Sequence, residues 1–210
     1  MMKIIVIPVT PFEQNCSLLI CEQTKKAAIV DPGGDVQRIL DVVKQENVIV
    51  EKIILTHGHL DHVGGAQRIA NTLNVSIIGP EKEDLFWLES LEEQSQHFGF
   101  PMHTSFLPEK WLEEGEIVEV GNIKLQVLHI PGHTPGHIAL FDAQSQQVIV
   151  GDILFCGAIG RSDFPRGDQN LLIRGIKNKL LTLADETRVY PGHGPTTSIA
   201  QEKRTNPFLR

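Results

Sequence analysis

Thr56-His57-Gly58-His59-Leu60-Asp61-His62 is the stretch on which the reading of this chain turns. It follows Ile53-Ile54-Leu55, an apolar run with the character of a buried strand that ends at Thr56. Four strong metal-ligating side chains therefore fall within the six residues His57–His62, just beyond a strand end. On an α-helix, neighbours on one face lie three or four positions apart, so His57 and His59 would diverge. In an extended or looped backbone, positions i and i+2 project to the same side, and the pair converges. The run thus calls for a loop, where the H-E-x-x-H motif calls for a helix. A coordination shell takes three or four ligands, so the remainder must come from elsewhere in the chain.

Three other places supply them. His133 follows the apolar run Lys124–Ile130 in Pro131-Gly132-His133-Thr134-Pro135-Gly136-His137. Asp152 follows Val148–Val150, and His193 follows Arg188–Tyr190 in Pro191-Gly192-His193-Gly194. Each sits at an expected strand end beside Gly or Pro. A lone His is as often a satisfied structural residue as a ligand; four strand ends with the same signature point to metal. The inventory of five His and two Asp exceeds what one zinc uses, and it contains no Cys. It fits two ions bridged by a carboxylate and a water, a pair about 3.5–4 Å apart that brings the pKa of bound water to roughly 7. Ligation without thiolate keeps the ions strongly Lewis-acidic, which points to hydrolysis. His137 is the remaining rival for a ligand role and is expected to be structural. Cys156 lacks neighbours that would activate it and is expected to be a buried thiol.

The rest of the chain reads as alternating elements. Strands are expected at Lys3–Val9, Ser17–Cys21 and Ala27–Val30, the last two forming a hairpin through Glu22-Gln23-Thr24-Lys25. Asp35 is placed to cap a helix over Val36–Glu46, with Ile39, Leu40, Val42 and Val43 on its apolar face. Strand Lys52–Leu55, helix Ala66–Leu73 and strand Val75–Ile78 continue a βαβ order. Glu81–Phe98 reads as one partly exposed helix packed on a sheet by Phe86 and Trp87. Strands return at Ile117–Val120, Lys124–Ile130, Ile138–Phe141 and Val148–Val150, with Gly121-Asn122 as a hairpin turn. Helix Asp168–Leu183, strand Arg188–Tyr190 and helix Ile199–Arg204 complete the chain, and residues 1–210 read as one domain.

Composition bounds the function. A net charge of -7 without a Lys/Arg-rich block disfavours nucleic acid, and no apolar run approaches the ~20 residues of a membrane span. Cys16, Cys21 and Cys156 lack C-x-x-C spacing, and the apolar opening stops at Pro8, too early for a signal peptide. A cytoplasmic protein with reduced thiols is expected.

With these motifs, the sequence resembles the metallo-β-lactamase superfamily along essentially its whole length. Within it the chain is similar to the glyoxalase II group, in its short bacterial, hydroxyacylglutathione hydrolase-like branch. Further segments carry that likeness: Pro8-Val9-Thr10-Pro11-Phe12-Glu13-Gln14-Asn15-Cys16, Asp31-Pro32-Gly33-Gly34, Gly160-Arg161-Ser162-Asp163-Phe164-Pro165-Arg166-Gly167-Asp168 and the ending Asn206-Pro207-Phe208-Leu209-Arg210. The resemblance implies a four-layer αββα sandwich of mixed α+β and α/β character, with metals at one edge of the two sheets. It implies two divalent ions, zinc foremost with iron or manganese as alternatives. His57, His59 and His133 would hold one, Asp61, His62 and His193 the other, and Asp152 would bridge them. Asp31 would orient ligands from behind, although its context equally fits a helix-entry turn.

The implied activity is hydrolysis of S-lactoylglutathione, or a related hydroxyacyl thioester, to free acid and thiol. A metal-bridging hydroxide would attack, with Asp61 and Asp152 as the catalytic carboxylates. Arg161 and Arg166 are candidates for recognising a substrate carboxylate, and Phe155, Phe164 and Trp87 for walling the pocket. Glyoxalase II enzymes of the longer type add a C-terminal helical domain with basic contacts to glutathione. Only 17 residues follow His193, so that domain is not expected here. The related persulfide dioxygenases, which use one iron, share the Gly-Arg-(Ser/Thr)-Asp-Phe loop and form the rival branch. Nuclease and β-lactamase activities share the fold; the acidic charge disfavours the first and the supporting segments point away from the second.

Overall fold

The computed structural model describes residues 1–210. Strands β1 (Met2–Val9), β2 (Gln14–Cys21) and β3 (Lys26–Val30) form an antiparallel meander. Strands β4 (Ile49–Ile54) and β5 (Ser76–Ile78) extend it in parallel, giving one sheet in the order β1-β2-β3-β4-β5. The parallel pairs require crossovers, made by α1 (Val36–Glu46), the short α2 (Leu60–Val63) and α3 (Ala66–Leu73). The second sheet contains β6 (Ile117–Val120), β7 (Ile123–His129), β8 (Ile138–Asp142), β9 (Gln147–Gly151), β12 (Arg188–Pro191) and β13 (Thr197–Ser198), in the order β13-β12-β9-β8-β7-β6. Between β9 and β12 lie a two-stranded hairpin, β10 (Leu154–Phe155) and β11 (Ala158–Ile159), and helix α6 (Gln169–Gly175). Helix α7 (Ile199–Thr205) follows β13.

Side-chain alternation explains the layering. In β2, Cys16, Leu18 and Ile20 pack outward with Ile39 of α1 and Ile69 of α3. Leu19 and Cys21 face the other way, joining Val118, Leu125, Val127 and Ile149 between the sheets. On the far side of the second sheet, Leu128, Ala139, Val148 and Val150 meet Leu172 and Ile199 of the outer helices. Central strands buried on both faces read as continuous apolar runs. The result is the expected αββα sandwich in a single domain.

Several local expectations are corrected. Asp35 does not cap α1: it adopts a left-handed conformation (φ 46°), and its carboxylate accepts the Thr10 N–H at 2.9 Å. The segment 81–98 is not one helix. It breaks into a 3₁₀ turn (Lys82–Asp84), α4 (Leu85–Glu89) and α5 (Leu91–Phe98), with the bend at Ser90, and Trp87 turns to His59 at 4.5 Å between ring centroids. The helix expected over Asp168–Leu183 is capped by Asp168, which accepts the Leu171 N–H at 2.9 Å, but widens into a π-type turn at Ile176–Leu180. Cys156 is exposed, because the β10–β11 turn carries it to the surface.

Gly33 is the tightest point of the β3–α1 connection, where a Cβ would run into the Asp61 carbonyl. Gly99, by contrast, has a positive φ of 67° and faces open space. Gly33→Ala is expected to cost roughly 3 kcal/mol through overpacking, and Gly99→Ala about 1 kcal/mol through backbone strain alone. Equilibrium urea unfolding of both variants checks the contrast; equal costs would contradict it.

Candidate metal centre

Topology brings the ligand-bearing loops together. Strands β7, β9 and β12 run in one direction, since β8 lies antiparallel between β7 and β9 and β12 is parallel to β9. Their C-terminal ends therefore share one edge. The loop after β4 joins them across the sandwich, where the Ile138 N–H donates to the Thr56 carbonyl at 2.9 Å. All seven side chains singled out from the sequence meet there. The imidazoles of His57, His59 and His133 form one converging set, and Asp61, His62 and His193 form another. Asp152 stands between them: its Oδ1 is 3.3 Å from His62 Nε2, and its Oδ2 is 3.6 Å from His193 Nε2 and 3.7 Å from His133 Nε2.

Hydrogen bonds on the outer nitrogens decide which ring atoms face the centre. Thr56 donates its hydroxyl to Asp31 (2.6 Å), so its oxygen accepts from His57 Nδ1 at 3.0 Å. The His62 Nδ1–H donates to Asp31 Oδ2 at 2.9 Å, the His133 Nδ1–H to the Arg161 carbonyl at 2.7 Å, and the His193 Nδ1–H to the Phe12 carbonyl at 3.2 Å. Each of these four rings is thereby fixed with its Nε2 turned inward. His59 is the exception: its Nδ1 faces His133 Nε2 at 3.1 Å, and its ring is flanked by Trp87 and Phe164.

This donor set fits divalent ions. His57 Nε2, His62 Nε2 and Asp152 Oδ1 are buried without a hydrogen-bond partner, a costly state for groups meant to stay unpaired. The charge pattern agrees. Burial opposes charge on His62, yet the carboxylates of Asp152, Asp61 and Asp31 outweigh it and raise its pKa well above the usual imidazole value. Burial likewise opposes the Asp152 carboxylate, and the surrounding imidazoles overcome that and hold its pKa well below the ordinary range. The centre demands positive charge amid buried acids. A third grouping, Asp31 with His57 and His62, is already satisfied internally. Asp31 Oδ1 accepts the Thr56 N–H at 2.7 Å, and Oδ2 takes the Thr56 hydroxyl and His62. His137 is likewise occupied: its Nδ1 donates to the Ile138 carbonyl, and its Nε2 accepts the Asp152 N–H at 3.0 Å.

The ligands floor a cavity of about 790 Å³ whose walls include Phe12, Trp87, Phe98, Phe100, Phe155 and Phe164. Phe155 and Arg161 reach it as expected, although Arg161 is held bidentately by Asp163 and lies 4.7 Å from the Phe164 ring centroid. Arg166 is not brought to the cavity. Its guanidinium pairs with Glu83 and lies 5.1 Å from the Phe86 ring centroid, outside the wall. Sequence reasoning missed Asn15, whose amide donates to the carbonyls of Pro191 (3.1 Å) and Gly194 (2.9 Å) and holds the His193 turn. It also missed Gln94, which accepts the Leu60 N–H at 2.9 Å, and the buried Asp84. Burial pushes the Asp84 carboxyl up to about 6, against the pull of its three hydrogen-bond donors.

Fold and site together define a metal-dependent hydrolase. The family model for the metallo-beta-lactamase superfamily matches residues 9–193, and the chain belongs to that superfamily. It is 48% identical to "Hydroxyacylglutathione hydrolase GloC" of Haemophilus influenzae, over 99% of this chain and 98% of that protein. Among solved structures, BLEG-1 B3 metallo-beta-lactamase superposes with a TM-score of 0.91 at 34% identity, covering 99% of each chain. TTHA1623 in a di-iron-bound form gives a TM-score of 0.89 at 36% identity, covering 98% of this chain and all of that one. No helix is long and apolar enough to cross a membrane.

Replacing Asp31 with Ala would leave the Thr56 N–H, the Thr56 hydroxyl and His62 Nδ1–H without their acceptor. Metal affinity is expected to fall about 10- to 100-fold and stability by roughly 2 kcal/mol or more. Chelator competition and thermal unfolding of the metal-free protein measure the two effects, and unchanged affinity would contradict the role given to Asp31.

Proposed function

We propose that this protein hydrolyses hydroxyacyl thioesters of glutathione, S-lactoylglutathione among them, to the free acid and thiol. The observation that carries the reading is the pair of ligand sets joined by Asp152 on the floor of an aromatic-walled cavity. The 48% identity to a hydroxyacylglutathione hydrolase over nearly the whole of both chains supports the substrate class. On this reading His57, His59 and His133 would hold one divalent ion and Asp61, His62 and His193 the second, with Asp152 available to both. Zinc, iron and manganese all suit nitrogen and oxygen ligands of this kind. Two such ions, when bound, supply an activated water at neutral pH and an electrophile for the carbonyl oxygen.

The chain's own residues do the rest. Asp61 Oδ2 lies 3.1 Å from His193 Nε2, and its carboxylate borders the cavity, where it orients the attacking water. Asp61 and Asp152 are thus the catalytic carboxylates. The aromatic wall excludes bulk water and confines the thioester beside them. A thiolate leaving group, with a pKa near ~8.5 by analogy with Cys, departs without a strong general acid. This agrees with a centre that presents no protonated carboxyl beside the reacting position. Arg161 is the cation at the rim suited to a substrate carboxylate.

Metal-reconstituted protein is expected to hydrolyse S-lactoylglutathione, with no oxygen uptake on glutathione persulfide and no turnover of a β-lactam. Asp61→Ala and Asp152→Ala should lose bound metal and turnover together, by 100-fold or more in kcat, an estimate in line with losing a catalytic acid–base group. Arg166→Ala should leave KM within about twofold, because a solvent-exposed ion pair outside the cavity contributes little. Oxygen-dependent persulfide consumption without thioester hydrolysis would overturn the assignment.

A further inference from the structure

One buried charge beside the centre belongs to neither ligand set. Asp84 ends the 3₁₀ turn Lys82–Asp84 and is wholly buried. Its Oδ2 accepts the Gly58 N–H at 2.9 Å and the Thr134 hydroxyl at 2.8 Å, and its Oδ1 accepts the Gly136 N–H at 2.5 Å. Gly58 lies between His57 and His59, and Thr134 directly follows His133. One carboxylate therefore ties together the two loops that supply all three imidazoles of the first set. At the base of these loops the backbone bond from Ile138 N to Thr56 O joins them; Asp84 joins them at the level of the ligands.

The surroundings leave Asp84 little freedom. The Glu81 N–H donates to the Gly136 carbonyl at 3.0 Å, so the turn grips Gly136 on both its donor and its acceptor. A Cβ on Gly58 would come within 2.6 Å of the Trp87 Cβ, and one on Gly136 within 2.5 Å of the Asp84 nitrogen. From the same helical segment, Gln94 accepts the Leu60 N–H at 2.9 Å and donates to the Trp87 carbonyl at 2.8 Å. His59 is thus bracketed by a hydrogen bond to the residue before it and another to the residue after it. Three donors on one carboxylate make charge-assisted bonds about twice as strong as neutral ones.

We propose that Asp84 is the positioning residue of the first ligand set, fixing the spacing of the His57–His59 pair from His133 and thereby the affinity for the ion held there. The inference rests on the metal-binding part of the functional reading and is independent of the thioester assignment. The helical segment 82–94 then has two tasks: its inner side holds the ligand loops, and Trp87 forms cavity wall.

The test compares wild type, Asp84→Asn and Thr134→Val by chelator competition with zinc and by the ligand-field absorption of the cobalt-substituted protein. Asp84→Asn keeps the volume but turns an N–H₂ towards one of the three donors. One of the two binding steps should weaken about 10- to 100-fold, with the other step within twofold and an altered cobalt spectrum. Thr134→Val removes a single bond and should weaken the same step by a smaller factor. If Asp84→Asn fails to fold, Thr134→Val decides. Both steps weakening equally, or affinities and spectrum unchanged in the folded variant, would overturn the proposal. Loss of thioester turnover with these metal readouts intact would count against the functional reading alone.

Discussion

An imidazole has two nitrogens, and four of the five rings at this centre turn Nε2 inward because Nδ1 is committed elsewhere. His59, which turns Nδ1 inward, is held instead between Trp87 and Phe164. Asp31 and Thr56 take the outer nitrogens of His62 and His57, the Arg161 carbonyl takes that of His133, and the Phe12 carbonyl takes that of His193. These partners come from the β3–α1 turn, the end of β4, the loop after β11 and the β1–β2 turn. Four distant parts of the chain are thus held in register by the same set of rings. Mispairing any of them would leave a buried polar group unsatisfied, at a cost of about 1–3 kcal/mol each.

The sandwich makes this convergence available. Strands pointing the same way deliver their C-terminal ends to a common edge, and residues just past those ends lie where backbone groups are no longer consumed by the ladder. The aromatic cavity lies over that edge, with the ligands among its lining residues. Placing the acids Asp31, Asp61 and Asp152 among five imidazoles then fixes the electrostatic character of the floor as a site for cations.

Much of this was legible in the sequence. The i, i+2 histidines, and single ligands following apolar strands, located all seven converging side chains, because metal-binding residue types at strand ends leave a dense local signature. The two sheets were legible because β2, β8 and β9 are largely apolar on both faces. What was not legible depends on contacts across the chain. Asp84 and Gln94 sit in a stretch of acidic and amide residues that reads as a solvated helix face, and only the fold turns them inward. Asn15 holds a turn some 176 positions away, a distance at which no local pattern operates. Arg166 was attractive for its charge, but Glu83 claims it. Asp35 resembled a helix cap, but the left-handed turn at that point directs its carboxylate to Thr10 instead.

Joint action of two ions across Asp152 is tested most directly by titrating metal-free protein with zinc while following S-lactoylglutathione hydrolysis. The rate is expected to rise until two equivalents per chain are bound and to be flat thereafter. Full activity at one equivalent, with the second ion adding nothing, would contradict it.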